Sequence, residues 1–150
     1  MKSNIYLIDI DDTIFNISRA VCSYYEINPP VFHRTVETPE DWPADVWARC
    51  QLSDYLPFFT ILMRIGTVVL TSIVTNQSDL IGKSFMMNAA FNMAIPFLPV
   101  EEDFNAAAAV DDDVVLITAD PESFCRFPGK KAFLGEDFDK FLKDLEPYVH

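Results

Sequence analysis

The sequence has few basic residues, few glycines and no long apolar run. Of its 150 residues, 11 are Lys or Arg and 23 are Asp or Glu, which gives a net charge of −12. Nucleic-acid polymers and anionic membranes attract proteins through basic patches, so we expect neither as a partner. No apolar run approaches the ~20 residues that a membrane-spanning helix needs. The acidic balance also implies that a phosphorylated substrate would need a cation to reduce repulsion.

Cysteine is scarce as well. Cys22, Cys50 and Cys125 lack the paired spacing of a metal site. The first residues lack the basic region and apolar core of a secretory signal. We therefore expect reduced thiols and a cytoplasmic location.

Hydrophobic residues are abundant, at 50 % of the chain, and 13 residues are Phe. A chain of this length and composition is expected to fold as one domain with a substantial core rather than remain disordered. Short apolar runs rich in β-branched residues predict buried parallel strands at 4–10, 67–72 and 114–119. Weaker runs predict two more strands, at 95–100 and 131–134, and prolines make the former short or peripheral.

Helical patterns separate these runs. They predict helices at 53–66, with Gly66 as its stop, at 78–93, with Ser78 as its cap, and at 135–149. Strands that alternate with helices indicate an α/β fold, a three-layer α/β/α sandwich around a parallel sheet. Residues 26–52 interrupt this alternation with four prolines and both tryptophans. We interpret them as part of an inserted segment of loops and one short helix.

The most informative stretch is "IYLIDIDDTIF", at 5–15, where three aspartates follow an apolar run. Like charges repel, and burial strengthens the repulsion, so packing alone does not explain Asp9, Asp11 and Asp12 together. Asp9 and Asp11 are two residues apart and are expected to share one side of the strand. Asp12 falls outside this alternation.

Polar residues end two further predicted strands. Ligands of open parallel sheets bind beyond the carboxyl ends of the strands. Thr71 and Ser72 end the second strong run, and Asp120 follows the third. Three separate segments thus bring oxygen-bearing side chains to one edge of the sheet.

This arrangement suits phosphoryl transfer through a carboxylate. Asp9 would attack phosphorus and form an aspartyl-phosphate, while Asp11 would protonate the leaving oxygen and later deprotonate water. Mg²⁺ prefers oxygen ligands and would offset the clustered charge, with Asp9 and Asp11 as predicted protein ligands.

"DIDDT" after an apolar strand resembles the DxDx[TV] signature of the haloacid dehalogenase superfamily of aspartate-nucleophile phosphatases. Later stretches resemble the family's other motifs in order: "VVLTS" the phosphate-binding second motif, Lys83 the third, and "VVLITADPES" the fourth. The resemblance implies a Rossmann-like core, phosphate binding by Thr71, Ser72 and Lys83, and a Mg²⁺ ion for which Asp120 is a further ligand. It spans residues 5 to 123. One departure is Ala119, because the fourth motif often has two adjacent acids; Glu122 or a water is the expected substitute.

Within the superfamily, the chain is similar to 5′(3′)-deoxyribonucleotidases with a small cap. This implies a catalytic core at 1–15 and 66–150 and a mostly helical cap at 16–65. It also implies a small phosphorylated substrate, a nucleotide, contacted by aromatic cap residues: Phe32, Trp42 and Trp47. Packing within the cap is the competing explanation for these aromatics.

Other hypotheses stay open at this point. The substrate could be a sugar phosphate or another small ester, or the chain could bind phosphate or metal without turnover. An acidic protein that mimics nucleic acid is a third class, against which the order of the motifs argues. A receiver domain would need an Asp at the end of a later central strand, and "VVLTS" has none.

Overall fold

The fold was taken from a computed structural model, which describes residues 4–17, 19–20, 50–74, 76–92, 94–101, 103–104 and 113–149. Five strands form one parallel sheet: β1 Ile5–Asp9, β2 Thr67–Ile73, β3 Phe97–Val100, β4 Val114–Thr118 and β5 Lys130–Phe133. All five were predicted, with bounds within two residues. β3, the strand that contains proline, is short and lies at an edge, as expected.

The order of the strands across the sheet is β3-β2-β1-β4-β5. From β1 the chain moves outward to β2 and β3, and it then returns to place β4 on the other side of β1. β1 is therefore the central strand. The direction of winding reverses between β1 and β4, where open α/β sheets bind their ligands.

Four α-helices are described: α1 Leu56–Ile65, α2 Gln77–Phe91, α3 Pro121–Arg126 and α4 Phe138–Leu145. A 3₁₀ helix, Glu146–Tyr148, follows α4. None of the helices in the described ranges is long and apolar enough to cross a bilayer.

Apolar side chains cover both faces of the sheet. On one face Tyr6 and Ile8 of β1 pack in a cluster with Phe59 of α1 and Phe141 of α4. On the other face Leu7 packs with residues that include Phe127, which follows α3. Alternate residues of β1 therefore enter opposite layers, as expected for a strand buried on both faces. The predicted α/β fold with its three layers is confirmed.

α1 belongs to this packing, since Phe59 and Leu62 lie in the same cluster as the sheet residues Val68 and Leu70. Its end is set by Gly66, as predicted. A Cβ atom at Gly66 would lie 2.6 Å from the carbonyl oxygen of Asn4 and 2.7 Å from the ring of Tyr6. Any side chain would therefore push α1 away from the start of β1.

Two details of the helices differ from the sequence prediction. Ser78 does not cap α2, because Asn76 is the N-cap and its side chain accepts a hydrogen bond from the backbone N–H of Asp79 at 2.8 Å. Asn is as good a cap as Ser, and it stands two residues earlier. α3 was not predicted. It is only six residues long, with Asp120 as its N-cap and Pro121 as its first residue.

Candidate active site at the carboxyl end of the central strand

The predicted aspartates lie where β1 ends, beside the point at which the sheet reverses its winding. Asp9 is the last residue of β1, and Asp11 lies two residues beyond it. The two residues are 2 % and 1 % exposed. Such deep burial of two neighbouring carboxylates is unfavourable unless other groups compensate their charge.

Hydrogen bonds from two segments hold the carboxylate of Asp9. Its Oδ1 accepts from the backbone N–H of Asp11 at 3.2 Å, and its Oδ2 accepts from the hydroxyl of Thr118 at 3.0 Å. Thr118 is the last residue of β4, and its hydroxyl oxygen in turn accepts from the backbone N–H of Asp120 at 3.0 Å. The carboxylate is thus fixed from both sides at the β1–β4 boundary.

Asp11 faces the other neighbour of β1. Its Oδ2 accepts hydrogen bonds from the hydroxyl of Ser72 at 2.8 Å and from the ammonium of Lys83 at 3.2 Å. Ser72 lies near the end of β2, and Lys83 lies in α2, the helix that follows. Asp9 and Asp11 therefore reach the same edge, as predicted, but they bond to opposite neighbouring strands.

Lys83 is itself buried, with 3 % of the residue exposed. Besides Asp11, it donates to the carbonyl oxygen of Ile73 at 2.9 Å and lies 3.1 and 3.3 Å from the two carboxylate oxygens of Asp79. Lysine is seldom fully buried unless it is paired. Here the pairing is with two carboxylates, each about 1 % exposed.

The turn after β1 shapes the site. Asp12 adopts the left-handed conformation, with φ of 59°, which Asp tolerates better than most residues. Its backbone N–H donates to the carbonyl oxygen of Phe15 at 2.8 Å. Asp12 thus leaves the strand alternation, as the sequence indicated, and lies half-buried beside the site.

Thr13 closes this turn against two other segments. Its hydroxyl oxygen accepts from the backbone N–H of Ala119 at 3.1 Å, and its carbonyl oxygen accepts from the hydroxyl of Ser53 at 2.7 Å. The turn is therefore tied to β4 on one side and to the segment before α1 on the other.

Thr71 is differently placed from Ser72. Its hydroxyl donates to the carbonyl oxygen of Leu98 on β3 at 2.7 Å, so it faces the edge strand. Its carbonyl oxygen accepts from the backbone N–H of Ile10 at 2.8 Å. Of the two predicted phosphate binders on β2, Ser72 is the one whose side chain contacts an aspartate of the site.

Asp120, the predicted metal anchor, caps α3. Its Oδ1 accepts from the backbone N–H of Glu122 at 3.2 Å, and its Oδ2 accepts from the hydroxyl of Ser123 at 2.7 Å. Glu122, the expected substitute for the acid missing at Ala119, forms an exposed ion pair with Arg126 at 2.6 Å. Both carboxylates are engaged within α3. Asp113 lies at the opposite end of β4.

Four buried charged side chains occur among the described residues: Asp9, Asp11, Asp79 and Lys83. Ionised together, they carry a net charge of −2, which a divalent cation would neutralise. No group of three His, Cys, Asp or Glu side chains with metal-binding geometry occurs within the described ranges. Mg²⁺ is commonly held by one or two carboxylates, with water and substrate phosphate in its other positions. The donor set of Asp9 and Asp11 therefore fits Mg²⁺.

A thiol also lies close to the site. Burial raises the pKa of Cys50 to about 12; the charge of Asp12 adds to this rise, and Lys83 opposes it. A thiol with such a pKa is protonated at neutral pH and is a poor nucleophile. Cys50 is therefore not a candidate catalytic group.

A separate apolar cavity of about 260 Å³ lies between α1 and the sheet. Its walls include Ile8, Phe59, Leu70 and Phe91. Apolar walls do not solvate a phosphate group, so the carboxylate site and this cavity suit different chemistry.

Sequence reasoning missed Thr118 and Asp79. Thr118 is the last residue of an otherwise apolar strand, and a polar residue there was a usable signal. Asp79 stands four residues before Lys83, and this i,i+4 spacing of opposite charges was also visible. Only the structure shows that both residues are buried.

The predicted cap aromatics Phe32, Trp42 and Trp47 lie outside the described residues, and their contact with substrate stays a prediction. The cap as a whole, predicted at 16–65, is described only at 16–17, 19–20 and 50–65. Comparison of the chain with protein-family models and with curated proteins found no match.

Proposed function

We propose that this protein is a magnesium-dependent phosphomonoester hydrolase that works through an aspartyl-phosphate on Asp9. The observation that carries the proposal is the pair of buried carboxylates at the end of the central strand, with Ser72 and Lys83 donating to the second of them. One carboxylate is fixed as a nucleophile would be, and the other lies beside it among phosphate-binding side chains.

Asp9 is the nucleophile. The hydrogen bonds from the Asp11 N–H and the Thr118 hydroxyl fix the plane of its carboxylate before substrate arrives. An oxygen of Asp9 attacks phosphorus, and the bond from phosphorus to the leaving oxygen breaks. Preorganised geometry of this kind reduces the entropy that the reaction must lose.

Asp11 moves the protons. In the first step it donates a proton to the leaving oxygen. In the second it removes a proton from a water molecule whose oxygen attacks phosphorus, and the bond to Asp9 breaks to release inorganic phosphate. Mg²⁺ held by Asp9 and Asp11 would supply neutralisation of the phosphate charge.

Ser72 and Lys83 bind the phosphate oxygens. A hydroxyl and an ammonium that already meet at one carboxylate oxygen can donate equally to a phosphate oxygen in the same place. Thr71 contributes through its backbone, whose carbonyl oxygen holds the segment after β1.

We propose a nucleoside monophosphate as substrate, on the resemblance of the motifs to nucleotidases, with Phe32, Trp42 and Trp47 as the base-contacting residues. Sugar phosphates are the alternative substrate class. We also propose a cytoplasmic location, in keeping with the thiol state of Cys50 and Cys125.

A second candidate function is a module that binds phosphate or metal without turnover. It is favoured by Asp120, whose two carboxylate oxygens accept hydrogen bonds within α3. A metal held by fewer protein ligands would bind more weakly, and turnover would fall with it.

The test is a phosphate-release screen across nucleoside monophosphates, sugar phosphates and p-nitrophenyl phosphate, with Mg²⁺ or with EDTA. We expect Mg²⁺-dependent release that Asp9→Asn abolishes. Asp12→Asn is the matched control, because it removes a neighbouring carboxylate of no assigned role and Asn tolerates the left-handed conformation equally well.

Release from sugar phosphates alone would refute the nucleotide substrate and leave the phosphatase. Turnover retained by Asp9→Asn would refute the nucleophile. Binding of inorganic phosphate with no turnover in Mg²⁺, Mn²⁺ or Co²⁺ would favour the second candidate.

A further inference from the structure

The proposed reaction leaves one buried carboxylate without a role. Asp79 lies in the first turn of α2 and is 1 % exposed. Its two oxygens lie 3.1 and 3.3 Å from the ammonium of Lys83. Acidic residues are common in the first turn of a helix, where they complement its dipole, but they are usually solvated there. Asp79 is buried against a lysine.

Lys83 is placed between two carboxylates that differ in their proposed roles. Asp11, at 3.2 Å, is a proposed metal ligand, whereas Asp79 is not. The ammonium is also held by the carbonyl oxygen of Ile73 at 2.9 Å. Asp79 and Lys83 stand one helical turn apart on α2, so their separation is set by the helix rather than by the loop that carries Asp11.

We propose that Asp79 is a positioning residue that shares the ammonium of Lys83 with Asp11, weakens the hold of that ammonium on Asp11, and so leaves Asp11 available to Mg²⁺. The inference rests on the proposed metal site. With Asp79 charged, Lys83 has a permanent counter-ion within α2 and can exchange Asp11 for a substrate phosphate. Without that charge, Asp11 is the remaining carboxylate of the pair, and Mg²⁺ must compete with the ammonium for it.

Calorimetric titration of Mg²⁺ alone tests this and needs no turnover. Asp79→Asn keeps the size of the side chain and removes its charge. We expect Mg²⁺ to bind it about tenfold more weakly than the wild type, the change that one charge-assisted interaction typically makes. Asp139→Asn is the matched control, since Asp139 is an exposed first-turn acid of α4. It should bind Mg²⁺ within about twofold of the wild type.

Asp79→Glu separates charge from packing. It keeps the charge but adds a methylene group in a buried position, so a packing role predicts that Asp79→Glu binds Mg²⁺ more weakly than Asp79→Asn. The proposal predicts instead that Asp79→Glu binds Mg²⁺ more tightly than Asp79→Asn. Because Asp79→Asn removes one partner of a buried pair, circular dichroism would first establish that each variant is folded.

Introducing Asp79→Asn into a Lys83→Met protein removes the charges of both Asp79 and Lys83. Asp79 acts through Lys83, so Asp79→Asn should change Mg²⁺ affinity less in Lys83→Met than in the wild type.

The proposal would be overturned if wild type and Asp79→Asn bound Mg²⁺ equally well, or if Asp79→Asn bound it more tightly than Asp79→Glu. It would also be overturned if Asp79→Asn changed Mg²⁺ affinity equally in the wild-type and Lys83→Met backgrounds, or if the wild type did not bind Mg²⁺. Absence of phosphate release in the screen above, with the Mg²⁺ pattern intact, would overturn the phosphatase and not the role of Asp79.

Discussion

Replacing Lys83 by Met should destabilise the fold by about 3–5 kcal/mol, the usual loss when one partner of a buried ion pair is removed. The burial and contacts of Lys83 favour a loss within this range rather than the smaller loss of a surface ion pair. Lys83 is 3 % exposed and lies within 3.3 Å of two carboxylates, Asp11 and Asp79, both of which would stay buried without its charge. A surface pair, by contrast, contributes about 0–1 kcal/mol. For a chain of this size the loss corresponds to a fall in Tm on the order of 10 °C.

The assay is urea unfolding followed by circular dichroism, with and without Mg²⁺. Mg²⁺ should restore part of the lost stability, because a ligand at 100 times its Kd adds about 2.7 kcal/mol. Lys143→Met, in the exposed last turn of α4, is the matched control and should change stability by less than about 0.5 kcal/mol. A loss below about 1 kcal/mol for Lys83→Met would refute the argument, since it would mean that the ammonium does not compensate the buried carboxylates.

Three further predictions follow from single contacts. Thr118→Val removes the hydroxyl that donates to Asp9 at 3.0 Å and accepts from the backbone N–H of Asp120, so it should lower kcat/KM about tenfold and lower Tm by a few degrees; an unchanged kcat/KM would show that this bond does not position Asp9. Gly66→Ala should destabilise the fold by about 1–3 kcal/mol in urea unfolding, since the new Cβ would lie 2.6 Å from a backbone oxygen; a neutral effect would mean that α1 can shift freely. The pKa of Cys50 is raised to about 12 from 9.0, so its thiolate should be about 1,000-fold scarcer than that of an ordinary thiol near neutral pH. Peptide mapping after brief iodoacetamide treatment should find the exposed Cys125 alkylated and Cys50 intact, and equal labelling would contradict the burial of Cys50.

The sheet could be predicted because each strand is a short apolar run that ends in a polar residue. β1 is the clearest example, since Asp9 ends the run and the structure ends the strand there. Parallel strands present their carboxyl ends at one edge of a sheet, and this rule alone predicted that Asp9, Asp11 and Ser72 lie at the same edge. The order of the strands cannot be derived from such runs, because it depends on which apolar faces meet in space.

The hydrogen-bond and ion-pair partners of each carboxylate could not be predicted either, because they also depend on how the elements pack in space. The sequence shows Asp79 as one first-turn acid among several, and its burial depends on α2 packing near the end of β2. Thr71 and Ser72 were equivalent in sequence, and only the register of β2 against β1 and β3 gives them different partners. Asp120 is a predicted metal ligand, and the sequence did not show that its side chain also caps α3.

The same reasoning explains the missed helix. Asp before Pro is a common start for a helix as well as for a turn, and the sequence alone does not decide between the two. Ser123, which donates to Asp120 at 2.7 Å, supplies the contact that favours the cap. A short helix of this kind has little amphipathic pattern from which it can be recognised.

The most direct test of the central claim is to look for the phosphoryl group on Asp9. In Asp11→Asn the second step lacks its base, whereas p-nitrophenyl phosphate needs little help from an acid in the first. The variant should therefore accumulate the aspartyl-phosphate, and mass spectrometry after acid quenching should find one added phosphoryl group on the peptide that contains Asp9. Hydrolysis by the wild type, with no such adduct on Asp9 in either protein, would contradict the mechanism.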